Sequence, residues 1–428
     1  MTWCLYADRV TTPDLTELAR RVRAASRAVA RAPGPVRDDA LRLSADLLEQ
    51  ESAALLEANR GDLARAESDG MAASAQDRLR LTEERIRGMA AGLRGVATLA
   101  DPVGEVVDGW VRPNGLRVSR VRVPLGVIGV IYENRPNVTS DAAGLCLKAG
   151  NAAFLRGSAS ALASNQAIVA VLRRAAEKAG LPADAVALVE DTSHETAVAF
   201  MRLRGLIDCL IPRGGPALIA SLLENATVPY VLDGDGNCHV YIDEAADLSM
   251  TLDIVVNAKT HRFGVCNAAE TILVHAAVAP AFLPAVAAAL VAAGVEVRGD
   301  ERVRAALPGV GVVPATEEDF ATEFLGPIVA VGVVDDLDGA IEHIARFSSG
   351  HSEAIVTTDV RAADRFVAEV DAAAVLVNAS TRFIDGEELG LGAEVGISTQ
   401  KLHARGPMGV RELTSVKWVV RGDGQVRR

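Results

Sequence analysis

Apolar positions along this 428-residue chain change their spacing from region to region, and each change marks a different kind of element. The chain begins with helical spacing. Thr11–Ala30 reads as one helix and Val36–Ala58 as a second, in which Leu41, Leu48 and Leu55 recur every seven residues on one face. Gly61 and Gly70 punctuate the pattern, and a third helix is predicted over Thr82–Leu99. At Val106–Val123 the period drops to two around Pro113-Asn114-Gly115, which is a hairpin signal. The arms are rich in valine and carry Arg117, Arg120 and Arg122, the pattern of an exposed ribbon that needs a partner surface.

From Leu125 the order becomes strand, turn, helix, repeated. Strands are predicted at Gly126–Tyr132, Ala152–Leu155, Val186–Val189, Ile207–Ile211 and Val228–Leu232, with helices near Thr139–Lys148, Ala161–Lys178, Glu195–Leu203 and Pro216–Glu224. This is a βαβ series, hence a mostly parallel sheet with ligand sites at the carboxyl ends of its strands. No G-x-G-x-x-G occurs in it. Two strand ends, Phe154-Leu-Arg-Gly-Ser158 and Ile211-Pro-Arg-Gly-Gly215, each put an arginine and a glycine where backbone amides and a guanidinium can hold phosphate. A second α/β segment follows, with strands near His239–Ile242, Thr271–Val274, Gly311–Val313, Ile328–Val334, Ala354–Thr357 and Ala374–Val377. Its helices fall near Leu248–Lys259, Pro284–Ala293, Leu337–Arg346 and Ala362–Val370. The tail from Asn378 is polar and glycine-rich, with hydroxyls and cations in Ser380-Thr-Arg-Phe383 and Ser398–Gly409 that suit an anion. It ends in an alternating strand, Val416–Val420, able to pair with a hairpin of a neighbouring subunit.

Composition narrows the class. Half of the residues are hydrophobic, 23% are charged and 4% aromatic, as in a soluble protein of two or three domains. A net charge of −12 argues against nucleic acid or an anionic membrane as partner, so an anionic substrate needs a locally basic pocket. The five cysteines (Cys4, Cys146, Cys209, Cys238, Cys266) form no C-x-x-C, which fits a reducing cytoplasm. Asp8 and Arg9 stand where a signal peptide would have its apolar core. The uncharged run Ala276–Val295 is interrupted by Pro280 and Pro284, and reads as an Ala-rich helix starting near Pro284 rather than a membrane span. His194, His275, His343 and His351 have no ligand spacing, so no metal is expected and they read as surface or satisfied core residues.

One stretch draws these features together, Asn257-Ala-Lys-Thr-His-Arg-Phe-Gly-Val-Cys-Asn-Ala-Ala-Glu270. It sets Cys266 between a small-residue turn and an apolar strand, with Gly264 before it, Asn267 after it, and His261 and Arg262 upstream. Nearby cations favour the thiolate, the form that is nucleophilic. The plainer reading is a small buried hydrophobe. A thiol at the start of the second segment would face a cleft between two α/β domains.

Long runs carry a resemblance: Val123-Pro-Leu-Gly-Val-Ile-Gly-Val-Ile-Tyr-Glu133, Arg135-Pro-Asn-Val-Thr139, Leu210-Ile-Pro-Arg-Gly-Gly215, Val377-Asn-Ala-Ser-Thr-Arg-Phe383 and Ser398–Gly409. Over nearly its whole length the chain resembles the aldehyde dehydrogenase superfamily and, within it, the family of gamma-glutamyl phosphate reductases. The resemblance implies an α/β, aldehyde dehydrogenase-like fold: a Rossmann-like cofactor domain (1–105 and 124–237), an α/β catalytic domain (238–403), and a small β oligomerisation hairpin with a tail strand (106–123 and 404–428). It implies NADPH-dependent reduction of glutamyl 5-phosphate in proline biosynthesis, a cytoplasmic homodimer or higher oligomer, and coupling to glutamate 5-kinase. By position in the Val-Cys-Asn run Cys266 is the nucleophile, and Asn134 falls where the superfamily places an oxyanion donor. Glu323, in Glu-Phe-Leu-Gly-Pro327, resembles the glutamate that binds the nicotinamide ribose, while Arg156 and Ser158 resemble the adenosine-phosphate end and Arg213, Gly214 and Gly215 the second phosphate lip. The chain has Arg156-Gly-Ser-Ala-Ser160 where relatives have Gly-Gly-Lys, and Phe263 where they have proline. Arg262, Arg382, Lys401, His403 and Arg405 are available for the substrate anions, and Asp385 or Glu387 for its ammonium.

A non-phosphorylating aldehyde dehydrogenase is the competing enzyme. It needs a general base to hydrolyse the thioester. Leu232 stands about where that glutamate would be, with Asp233 and Asp235 nearby. A binding or scaffold protein on the same fold would have no use for an activated thiol beside cationic strand ends.

Overall fold

The structure is a computed structural model that describes residues 14–427; Cys4 and the predicted helix start at Thr11 lie outside the described residues. The chain forms two compact units, 14–231 with 392–395 and 409–427, and 232–391 with 396–408. The hairpin 106–123 lies in the first unit.

In the first unit Asp14 caps α1 (Leu15–Arg31), its carboxylate accepting the Thr16 N–H at 3.2 Å. Where one helix is predicted from Val36, two occur, α2 (Gly34–Gln50) and α3 (Ser52–Ser68). Leu41, Leu48 and Leu55 are all buried, as the heptad demands. The break at Glu51 has a polar cause further on. Asn59 and Asp62 are buried in α3, Asn59 bonded to the Leu79 carbonyl and the Leu81 N–H and Asp62 to Ser164, and these partners set the direction of α3. Gly61 does not interrupt that helix; Gly70, at φ 72°, follows its end. Then come α4 (Ala73–Leu79) and α5 (Glu83–Thr98), the latter capped by Thr82.

Strands β1 (Val106–Val111) and β2 (Arg117–Pro124) form the predicted hairpin, closed by Gly115 N–H on the Arg112 carbonyl at 2.8 Å. Gly115 has φ 88°, a conformation that favours glycine. The tail strand Thr414–Arg421 pairs antiparallel with β2 of its own chain. It stands at the edge of this three-stranded sheet, so one side of it takes its hydrogen bonds from β2 of the same chain and the other side faces no strand of that sheet. Beyond the hairpin run β3 (Val127–Tyr132), α6 (Pro136–Lys148), β4 (Ala152–Arg156), α7 (Leu162–Lys178), β5 (Val186–Leu188), α8 (His194–Met201), β6 (Cys209–Arg213) and α9 (Pro216–Asn225). The strands are parallel in the order β5-β4-β3-β6, and β3 is buried along its whole length. The strand predicted at Val228–Leu232 is reduced to one bridge, Leu210 with Tyr230. Pro229 has no N–H to extend it.

The second unit is a parallel sheet with helices: β7 (Cys238–Ile242), α10 (Leu248–Thr260), β8 (Ala269–His275), α11 (Ala279–Ala292), β9 (Glu296–Gly299), α12 (Glu301–Ala306), β10 (Val313–Pro314), α13 (Glu317–Phe320), β11 (Ile328–Val334), α14 (Leu337–Phe347), β12 (Ser352–Val356), α15 (Val360–Glu369) and β13 (Ala374–Val377). Their order is β10-β9-β11-β8-β7-β12-β13. The β9 strand escapes the sequence pattern because the charged Glu296 and Arg298, paired with each other on its more exposed face, alternate with the buried Val297. Helix α11 starts before Pro284, with Pro280 in its first turn, where the missing N–H costs nothing. Phe282, Leu283 and Leu290 from α11 pack with Val240, Val255, Ile272 and Val274 as the core. Among the described residues, no helix is long and apolar enough to cross a membrane.

Candidate active site

Helix α10 delivers the chain to the Cys266 turn, which is closed by the Ala268 N–H on the Val265 carbonyl at 3.1 Å and runs directly into β8. Of the described cysteines Cys266 alone is partly exposed; Cys146, Cys209 and Cys238 are buried. Burial pushes the Cys209 thiol up to about 12 and raises those of Cys146 and Cys238 well above the usual thiol range, so these three stay protonated at neutral pH. Arg382 is the cation brought to Cys266. Half-buried, it lies within electrostatic reach of Cys266, Cys238, Arg262 and Asp385, donates to His261 Nδ1 at 3.3 Å, and is held below the usual guanidinium range chiefly by burial.

The backbone around the thiol is fixed from several sides. A Cβ on Gly236 would lie 1.5 Å from the Cys266 carbonyl oxygen, so only glycine lets these two segments touch. The buried Cys238 thiol donates to that same carbonyl at 3.1 Å. Asn267 donates from its amide to the Ile384 carbonyl at 2.8 Å, and its own carbonyl accepts the Thr381 hydroxyl at 2.7 Å. These two bonds clamp the 380–384 turn, and with it Arg382, to the nucleophile's turn.

Glu323 lies on the same floor. Its Oε1 accepts the Gly236 N–H at 2.8 Å, and burial, with the nearby Asp235 and Asp233, keeps its carboxyl above the usual range. Behind it Lys259 and Glu270 form a fully buried ion pair at 2.5 Å, and the second Glu270 oxygen accepts the Leu325 N–H at 3.2 Å. Two of the remaining tail cations go elsewhere. Lys401 and Arg405 both bind Asp371, Arg405 at 2.8 Å. His403 and Arg262 are exposed. Of the two candidate bases, Asp233 accepts the Ile397 N–H at 2.8 Å and Asp235 is exposed.

In the first unit the structure joins residues that the sequence reading kept apart. Asn134, at φ 33°, follows β3, and its Oδ1 accepts the hydroxyls of Ser158, at 3.0 Å, and Ser160. With the oxygen engaged, the amide's remaining capacity is its two N–H donors. Arg156 donates to the carbonyls of Thr192 and Ser193 at 2.6 and 3.0 Å. At the β6 lip the Gly215 N–H, at the start of α9, donates to Glu133 Oε2 at 3.1 Å, and the Arg213 carbonyl accepts the Glu133 N–H. A carboxylate thus sits where an anion belongs at a helix N-terminus.

Gly236, the Lys259–Glu270 pair and Glu133 carry this geometry and were not singled out from sequence. The signals were present but local: a second glycine two residues after Gly234, and a lysine and a glutamate at the two ends of the stretch that carries Cys266. Of the histidines read from sequence as surface or satisfied core residues, His351 is buried and His343 half-buried, and the Nε2 atom of each is buried without a partner. Their burial depends on the packing of α14 and β12, which sequence spacing does not report.

The sequence model of the aldehyde dehydrogenase family matches residues 6–306 and 308–419. A protein of Moorella thermoacetica named gamma-glutamyl phosphate reductase is 56% identical over 409 residues, 96% of this chain and 97% of its own length. One of the same name from Thermobifida fusca is 54% identical over 97% of this chain and 99% of its own. The crystal structure of the Thermotoga maritima gamma-glutamyl phosphate reductase superposes with a TM-score of 0.94 at 48% identity, covering 96% of this chain and 99% of that one. The chain belongs to the aldehyde dehydrogenase family and, within it, to the gamma-glutamyl phosphate reductases.

Proposed function

We propose that the protein reduces L-glutamyl 5-phosphate to L-glutamate 5-semialdehyde with NADPH, releasing phosphate, as a step of proline biosynthesis. The observation that carries this reading is the partly exposed Cys266, clamped in a turn beside Arg382, on a chain with Leu232 where a deacylating glutamate would stand. The Cys266 thiolate attacks the acyl carbon; the bond from that carbon to the phosphate oxygen breaks and phosphate leaves, with a thioester on Cys266. Arg382 favours the thiolate and attracts the substrate anion. A bound reduced nicotinamide supplies the hydride that takes the thioester to the aldehyde level. The resulting alkoxide on Cys266 collapses, the C–S bond breaks, and aldehyde and thiolate separate. In both addition steps negative charge develops on the former carbonyl oxygen, where each fixed donor is worth about 10²–10³ in rate. The Cys266 N–H and the Asn134 amide are the candidate donors.

The residues fit a nicotinamide cofactor. Glu323 Oε1 is tied to Gly236, which leaves Oε2 as the acceptor a ribose hydroxyl needs. For the adenosine phosphate the candidates are Arg156, Ser158, Arg213, Gly214 and Gly215, with NADPH preferred over NADH. Arg262, Arg382, Lys401, His403 and Arg405 are the candidates for the substrate anions. A cytoplasmic enzyme supplied by glutamate 5-kinase completes the reading, since an acyl phosphate hydrolyses unless it is consumed quickly.

Phosphate dependence tests the proposal. Run backwards with the semialdehyde and NADP⁺, the enzyme forms NADPH only when inorganic phosphate accepts the acyl group. Undiminished steady turnover with an inert anion in place of phosphate means hydrolysis, and a non-phosphorylating dehydrogenase instead.

A further inference from the structure

The buried Lys259–Glu270 pair demands a reason. Both side chains are fully buried, and such pairs are in general no more stabilising than apolar residues of the same size. What distinguishes this one is the use of the second Glu270 oxygen. Oε2 holds Lys259 at 2.5 Å, while Oε1 accepts the Leu325 N–H at 3.2 Å. Leu325 has φ 50°, a left-handed conformation that a leucine adopts only where its surroundings hold it. Its side chain is 46% exposed, so packing is not what holds it. Two residues earlier, Glu323 accepts the Gly236 N–H at 2.8 Å.

We infer that Glu270, oriented by Lys259, is a positioning residue for the nicotinamide cofactor: it pins the backbone at Leu325 so that the Glu323 carboxylate stays on Gly236 with one oxygen turned to the ribose. Lys259 is the counter-ion that lets a carboxylate act as backbone acceptor where no water reaches. This rests on the reading of Glu323 as a cofactor residue. It adds a residue with no contact to cofactor or substrate.

Two double variants separate the acceptor from the charges. Lys259→Met with Glu270→Gln removes both charges and keeps a side-chain oxygen for the Leu325 N–H; Lys259→Met with Glu270→Leu removes the oxygen as well. The leucine pair should raise the KM for NADPH roughly tenfold, the usual scale for one lost hydrogen bond, with kcat within about twofold. The glutamine pair should restore KM to within about twofold of the wild type. Thermal unfolding and the rate of Cys266 alkylation by iodoacetamide should match between the two pairs, which a merely structural role would not give. Should the leucine pair fail to fold, Glu270→Met with Lys259→Met replaces it, because an unbranched thioether fills irregular space. An unchanged NADPH KM in the acceptor-less variant, while Glu323→Ala raises it, overturns the positioning role and leaves Glu323 its own. If Glu323→Ala itself leaves the NADPH KM unchanged, the cofactor reading of Glu323 is wrong and the inference falls with it.

Discussion

Gly236 lies against the main chain of Cys266 so closely that an added Cβ would stand 1.5 Å from the Cys266 carbonyl oxygen and 2.6 Å from its Cα. The obstacle is backbone, which cannot swing aside as a side chain can. Gly236→Ala must therefore displace the nucleophile's turn. A displacement of about 1 Å costs about 10² in rate, so kcat should fall by at least that factor while far-UV circular dichroism stays the same. A variant with near-normal kcat would show that the turn can move without loss.

Cys266→Ala should abolish turnover, while Cys146→Ala and Cys209→Ala should retain it. Cys238→Ala removes a donor to the Cys266 carbonyl but no reacting group, and should cost only about tenfold, the scale of one hydrogen bond. Steady-state assays of the four folded variants check the ranking. Residual activity of Cys266→Ala near the wild-type rate would end the covalent mechanism.

Arg382 and Lys401 are both cations of the tail, but they differ in company. Arg382 is half-buried beside Cys266, whereas Lys401 is exposed and bound to Asp371. Arg382→Ala should raise the substrate KM at least tenfold with little change in thermal stability, and Lys401→Ala by about threefold or less, as for a screened surface charge. Equal effects would place the substrate anion at the Asp371 cluster instead.

Burial lowers the fully buried His351 to about 4 from its ordinary 6.5. The sign follows from proton counting: between pH 6.5 and 4 the unfolded chain binds a proton that the folded one refuses, so stability falls as pH falls through that window. The full loss is on the order of 3 kcal/mol. Urea unfolding midpoints at pH 7 and pH 4.5 should therefore fall more steeply for wild type than for His351→Gln. Parallel lines for the two proteins would assign the acid sensitivity elsewhere.

The three-stranded sheet of β1, β2 and Thr414–Arg421 exposes Val106, Val111, Trp110, Trp418 and Val420, with the two tryptophan rings edge to face at 5.6 Å. Apolar surface of this extent on a sheet edge favours association. Sedimentation velocity at micromolar concentration should give a dimer or larger, and Trp418→Asp should shift it toward the monomer. A monomeric wild type would contradict the expectation.

Much of the molecule was legible in its sequence because the signals are local. The burial of Leu41, Leu48 and Leu55, the turn at Gly115, the alternation of strand and helix, and the small residues before Cys266 each depend on a few neighbouring positions whose period or backbone demand is set by covalent geometry. Tertiary structure decided whatever depends on residues distant in sequence. It split the second helix at Glu51 through Asn59 and Asp62, and took the tail strand to β2 of its own chain. It sent Lys401 and Arg405 to Asp371 while leaving Arg382 at Cys266. It also set Gly236 against Cys266 and Glu270 against Leu325. A hydrogen bond or ion pair acts over about 3 Å of space whatever the separation along the chain, so which cation meets the thiol is settled only when strands thirty or a hundred residues apart are laid side by side.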